Sequence, residues 1–149
     1  MIDRIGKFAY STDSGTVTTL PRSTSSAERT IRRLVDRLGL PSVGNTLVVQ
    51  RVPDDKEVST FRNDDAPFLQ TARTPAGLII EWGRWESDEW VLSRLSHIGG
   101  VLENQEPSGT GGPSDYFGPD EAAEIFCHYL QAERPPHSVA FRPVPLPGS

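Results

Sequence analysis

Apolar and polar residues alternate in short blocks along most of the chain, and two stretches carry the longer period of an amphipathic helix instead. In residues 26–38, Ile31, Leu34, Val35 and Leu38 recur at i, i+3, i+4 and i+7, which sets one apolar stripe against a core and turns Arg29, Arg32, Arg33 and Asp36 towards solvent. A serine ahead of Ala27 and Glu28 can cap the first turn, and Gly39 followed by Pro41 closes the helix. The second stretch, 119–132, opens on Gly118-Pro119-Asp120-Glu121. Proline at the first helical position forfeits no hydrogen bond, and the two carboxylates meet the positive end of the helix dipole. Ala122, Ile125, Phe126, Tyr129 and Leu130 form its apolar stripe, and Pro135-Pro136 end it.

The remaining blocks read as strands. Residues 4–10 and 16–20 flank a turn containing Asp13 and Gly15 and predict a hairpin. Runs rich in β-branched and aromatic residues follow at 46–52, 58–61, 68–72 and 77–82, with Thr74-Pro75-Ala76-Gly77 as the turn between the last two. Residues 90–95 fit either a strand or the start of a helix, and 138–142 a final strand. The elements together predict an α+β fold, an antiparallel sheet with two main helices packed on it. The Gly- and Ser-rich stretch at about 99–115 is expected to be a loop, and 143–149 a frayed tail.

At 149 residues the chain is expected to be one domain, 1–149. No apolar run approaches the roughly 20 residues that span a bilayer, and the first residues lack a signal-peptide pattern, so no membrane association is expected. The single cysteine, Cys127, can neither close a disulfide within the chain nor build a cysteine-based zinc site, which fits a reducing cytoplasm.

Charge is unevenly placed. Residues 1–40 carry seven basic side chains against four acidic ones, whereas residues 81–124 carry ten acids against Arg84 and Arg94, a net of −8. That density repels phosphate, which excludes direct nucleic-acid binding and favours a basic protein partner.

Catalytic patterns are weak. Cys127 and His128 point about 100° apart on a helix, so the imidazole is badly placed to take the thiol proton. Glu121, Glu124 and His128 share a helical face at i, i+3 and i+7, which leaves a small metal-dependent enzyme as one alternative and a structural or regulatory subunit as another. Gly109-Thr110-Gly111-Gly112 lacks the lysine and the strand-to-helix setting of a phosphate loop, and there is no Gly-x-Ser-x-Gly elbow. No enzyme activity, catalytic residue, metal or cofactor is expected. All three tryptophans instead lie among the acids of residues 81–90, and tryptophan is a favoured interface anchor. Glu81, Trp85, Glu86, Asp88, Glu89 and Trp90, with Asp115 and Tyr116, are therefore the candidate partner-binding residues.

The C-terminal third resembles immunity protein family 1 of bacterial polymorphic toxin systems. The shared pattern is an aromatic-glycine stretch, a Glu- and Ala-rich helix, an Arg-Pro turn and a strand ending in an aromatic residue. Here it reads Tyr116-Phe117-Gly118, then residues 119–130, Arg134-Pro135 and Val139-Ala140-Phe141. The family pattern has Gly before Arg-Pro and Trp at the end, where this chain has Glu133 and Phe141. The resemblance implies an α+β protein without catalytic residues that neutralises a cognate toxin, often a nucleic-acid deaminase, inside the producing cell. Such toxins are basic where they hold phosphate, which agrees with the acidic 81–124 region.

Overall fold

The computed structural model describes residues 3–57, 66–97 and 115–144. The expected strand at 58–61, nearly all of the expected loop at 99–115 and residues 145–149 lie outside them. The chain forms β1 (Phe8–Thr12), β2 (Val17–Thr19), α1 (Thr24–Asp36), β3 (Thr46–Arg51), β4 (Phe68–Thr74), β5 (Gly77–Glu86), β6 (Glu89–His97), α2 (Pro119–Ala132) and β7 (Val139–Pro143). The strands make one antiparallel sheet in the order β2-β1-β3-β4-β5-β6-β7, and both helices pack on it, as the periodicity predicts. Residues 90–95 resolve as strand, within β6.

The helix stripes bury as expected. Ile31, Leu34, Val35 and Leu38 of the first and Ala122, Ile125, Phe126, Tyr129 and Leu130 of the second join Leu47, Val49, Leu69, Ile80 and Leu95 from one sheet face in a single core. Each fully buried Leu, Ile or Phe contributes about 1.5–3 kcal/mol, so these positions dominate stability. Tyr129 meets Phe8 edge-on at 5.9 Å between ring centroids. The helices also touch through Arg32 and Glu124 at 2.9 Å and through Gln131 and Glu28 at 2.8 Å.

Helix α1 starts and stops about two residues earlier than the periodicity indicates. Ser23 rather than a later serine holds the cap position, with Ala27 N–H donating to Ser23 C=O at 2.9 Å. At the other end Arg37 and Leu38 tighten into three-residue turns on Leu34 and Val35 before Gly39 leaves at φ 95°. In α2 the Glu121 carboxylate accepts from Gly118 N–H at 3.3 Å, which supplies one of the first turn's missing acceptors.

Both sheet edges are blunted. β2 is three residues long, and Pro143 closes β7 rather than opening the frayed tail expected there. Val144 N–H donates to Leu92 C=O at 2.9 Å, so the strand alternation turns the Pro143 nitrogen to the open edge, where a missing donor is harmless and a foreign strand finds less to bind.

Two positions give direct tests of this packing. Glu133 closes α2 in the left-handed region at φ 58°, where a side chain is disfavoured. Its pair with Arg51, long at 3.4 Å and with the Glu133 carboxylate about half exposed, offsets little of that cost. Glu133→Gly is expected to raise unfolding stability by about 0.5–1 kcal/mol in a urea titration. Asp13 ties the β1–β2 turn to the start of β3. Its carboxylate accepts from the Thr46 hydroxyl, from Asn45 N–H at 2.8 Å and from Thr46 N–H at 3.1 Å, and these bonds, the Thr46 hydroxyl foremost, hold it below its ordinary value of 3.8. A depressed carboxyl stabilises the fold above its unfolded value and loses that contribution as pH falls through the folded one. Asp13→Ala should therefore melt earlier than the parent at neutral pH, and the gap in melting temperature should close on acidification below 3.8.

Candidate protein-binding surface

Strand alternation decides which candidate residues share a surface. In β5, Trp82, Arg84 and Glu86 point to the helix-bearing side and Glu81, Gly83 and Trp85 to the other. The register pairs Trp85 with Trp90 and Glu86 with Glu89, so the aromatic residues stand on one side of the β5–β6 hairpin and these two acids on the opposite side. Asp88 sits in the turn between them, next to Ser87, which takes φ 57°. The three tryptophans, adjacent in the sequence, are thus divided. Trp82 packs on the rim of the core against Phe141, 5.4 Å between centroids, while Trp85 is 47% exposed.

Among the described residues this hairpin outreaches its neighbours. β4 ends with Phe68 opposite Gly83, and β7 ends with Pro143 opposite Ser93. Beyond those positions Arg84–Val91, Trp85–Trp90 and Glu86–Glu89 pair only with each other among the described residues. Three such pairs project about 10 Å, with the turn beyond them.

The projecting ribbon is braced on both sides. On the aromatic side Trp90 packs between Trp85 at 5.3 Å and Phe68 at 5.9 Å. Gly83 is the floor of this cluster, because a Cβ there would lie 2.5–2.8 Å from the Phe68 and Trp90 rings. On the acidic side the Arg84 guanidinium lies 3.9 Å from the Trp82 ring centroid, 2.8 Å from Glu86 and 3.0 Å from Ser93 Oγ. One cation thus faces two carboxylates, Glu86 and Glu89, with Asp88 at the tip, and the apex stays acidic.

Other candidates are occupied elsewhere. Glu81 is paired with Arg94 at 2.9 Å and accepts from Gln70 at 3.0 Å, with the Glu81 and Arg94 side chains only 14% and 12% exposed. Gln70, Glu81, Arg94 and Arg142 form one row across four strands. Asp115 lies at the end of that row, 1% exposed, accepting from Arg142 and from the Ser96 hydroxyl. The expectation that Asp115 offers its charge to a partner is thereby corrected, since that charge neutralises an arginine and is withheld from solvent. Tyr116 lies beside it, where Phe117 pairs with Leu78 at the start of β5. Leu78 and Glu86 are eight residues apart along one strand, about 26 Å, so Tyr116 and the first turn of α2 lie at the opposite end of the sheet from the hairpin tip.

The sequence reading missed Phe68, Gly83 and Arg84, which hold the ribbon. Phe68 lies on β4, fifteen residues before Gly83, and nothing local signals that its ring lies across that glycine.

The helical face of Glu121, Glu124 and His128 lines a groove of about 440 Å³ with His97, Phe117 and Ser138. His97 Nδ1 is 3.6 Å from Glu121 and its ring stacks on Phe117 at 4.3 Å, but Glu124 is paired with Arg32. Among the described residues no group of three or more His, Cys, Asp or Glu side chains is close enough to hold a metal ion. Cys127 is buried, and burial pushes its thiol up to about 11, so it stays protonated and unreactive at neutral pH.

The chain matches no family model, and no curated protein or solved structure matches it. Among the described residues no helix is long and apolar enough to cross a membrane.

Gly83→Ala tests the aromatic brace. The added methyl should lift Phe68 and Trp90 from the sheet at a cost of about 1–3 kcal/mol, seen as lower stability together with a shift in tryptophan fluorescence.

Proposed function

We propose that this chain is a non-enzymatic immunity protein that neutralises a cognate bacterial toxin, a basic domain acting on nucleic acid and of deaminase type, inside the producing cytoplasm. The observation that carries the proposal is the projecting β5–β6 ribbon, with an exposed aromatic anchor on one side and unbalanced carboxylates on the other. A site that holds phosphate is a cleft with basic walls, and a narrow acidic ribbon is shaped to enter one. Trp85 then supplies the desolvated contact, while Glu86, Asp88 and Glu89 steer the encounter. An inhibitory contact of this kind covers about 800 Å² on each partner, which the ribbon and the sheet surface behind it can supply.

The resemblance to immunity protein family 1 supports the same reading. The position at which the family pattern carries glycine is Glu133, where α2 closes at φ 58°. A glycine there answers a backbone requirement that this chain shares, so the departure is one of side chain and not of local fold.

Binding kinetics against the toxin domain encoded beside this chain, at two ionic strengths, test the proposal. Reversing Glu86, Asp88 and Glu89 together to lysine is expected to slow association, most strongly at low salt. Trp85→Ala is expected to leave association nearly unchanged and to speed dissociation, at a cost of about 2 kcal/mol or more. Unchanged association in the first variant together with unchanged dissociation in the second would place the interface elsewhere.

A further inference from the structure

Among the described residues three large apolar side chains are exposed, Leu40, Trp85 and Phe141. Two of them belong to the hairpin end of the sheet, and they lie on opposite faces. Trp85 stands on the side of β5 that carries no helix. Phe141 is directly opposite Leu95, a core residue, so β7 turns it to the helix-bearing side. There it is 37% exposed, beside Trp82 on the rim of the core at 5.4 Å between ring centroids. Along the same side of β5, Trp82, Arg84 and Glu86 follow at every second position, with Glu89 opposite Glu86. The Arg84 side chain lies over the Trp82 ring and is only 12% exposed, so it presents little charge to solvent. Asp88 and Glu89 are in no ion pair among the described residues. Three carboxylates against one guanidinium therefore leave the strip that starts at Phe141 with an acidic end.

We infer that Phe141 is a second anchor for the toxin, on the opposite side of the hairpin from Trp85, so that the toxin straddles the ribbon. The inference rests on the function proposed above and adds what the partner must carry. Its wall facing Phe141 presents an apolar side chain and, about 13 Å further on, a lysine or arginine, because Trp82 and Glu86 are four residues apart along β5. In an extended segment those are positions i and i+4, which point to one side. The wall facing Trp85 and Trp90 is apolar and carries no matching cation, since Glu86 and Glu89 stand on the other side of the ribbon. A strand ribbon with side chains on both faces is about 10 Å thick, which sets the least width of the cleft it enters.

The test is hydroxyl-radical footprinting of the parent chain, free and bound to the toxin domain encoded beside it, read by mass spectrometry. Oxidation of Phe141 and of Trp85 should both fall several-fold in the complex. In binding kinetics, with melting temperature as the control on folding, Phe141→Ala should speed dissociation about tenfold. The effect of Trp85→Ala should multiply with it in the double variant, because the two rings share no contact. Phe141 oxidised equally in free and bound protein while Trp85 is protected would overturn the inference and leave the proposed function standing. A toxin domain that does not bind, or binds without protecting either residue, would overturn both. Sedimentation of the chain alone covers the remaining occupant, since a dimer that Phe141→Ala dissociates would assign the strip to a second copy and overturn the inference.

Discussion

The antiparallel register of β5 between β4 and β6 is the constraint from which most of the molecule's surface follows. With Trp82 opposite Leu69 and Ser93, every second residue of β5 is committed to the helix-bearing face, and Leu78 and Ile80 enter the core beneath α1 and α2. The alternate residues are committed to the other face just as firmly, because a slip of one position would exchange the two sets and bury Glu81 in the core. The same register brings Glu81 against Arg94 and Gln70, so the carboxylate accepts from a side chain on each adjacent strand. It also leaves the last three pairs of β5 and β6 without flanking strands among the described residues, and these become the ribbon.

A ribbon without flanking strands among the described residues has to be held by side chains, and an isolated two-stranded hairpin is marginal in water. Here each side has a brace. Phe68 reaches from β4 over Gly83 to Trp90, and Arg84 reaches back to Trp82 and Ser93. Both braces are anchored on residues of the continuous sheet, Phe68 on one side and Trp82 and Ser93 on the other, so the ribbon is tied to the sheet behind it. Stiffness matters for binding, since a contact surface already in place loses less entropy when a partner arrives. The Arg84–Glu86 pair also removes one charge from the apex, so it trades attraction for a fixed shape.

The helices and most strands were legible in the sequence because each depends on a local period that burial then enforces. Ile31, Leu34, Val35 and Leu38 mark their helix whatever lies against them, and Pro119 and the Pro135-Pro136 pair bound the second one. The candidate surface was only half legible. Residues 81–90 form the hairpin, whereas the sequence pattern marks a strand only at 77–82 and leaves 90–95 open between strand and helix. Closeness along the chain suggests that acids and tryptophans share one patch, which alternation separates. Asp115 reads as part of a loop and as a partner-binding residue, since its burial depends on Arg142 and Ser96, 27 and 19 residues away. Its neighbours in sequence are glycine, serine and proline, which signal a loop and carry no trace of that pair.

The same separation changes what the chain's acidity can do. A net −8 over residues 81–124 would act as one field only if its charges lay within a screening length of each other, about 8 Å at physiological ionic strength. Glu81 and Asp115 are neutralised by arginines, and Asp120 and Glu121 lie in the first turn of α2, towards the opposite end of the sheet from the hairpin tip, with Asp120 in a groove shared with Arg29 and Arg33 and Glu121 beside His97. An approaching partner therefore meets local fields. At the hairpin tip it meets Glu86, Asp88 and Glu89 against the single charge of Arg84, and at α1 it meets arginines interspersed with Asp36 and Asp120. With the charge divided in this way, steering depends on which end of the molecule leads, so the electrostatic contribution is one of orientation more than of overall attraction.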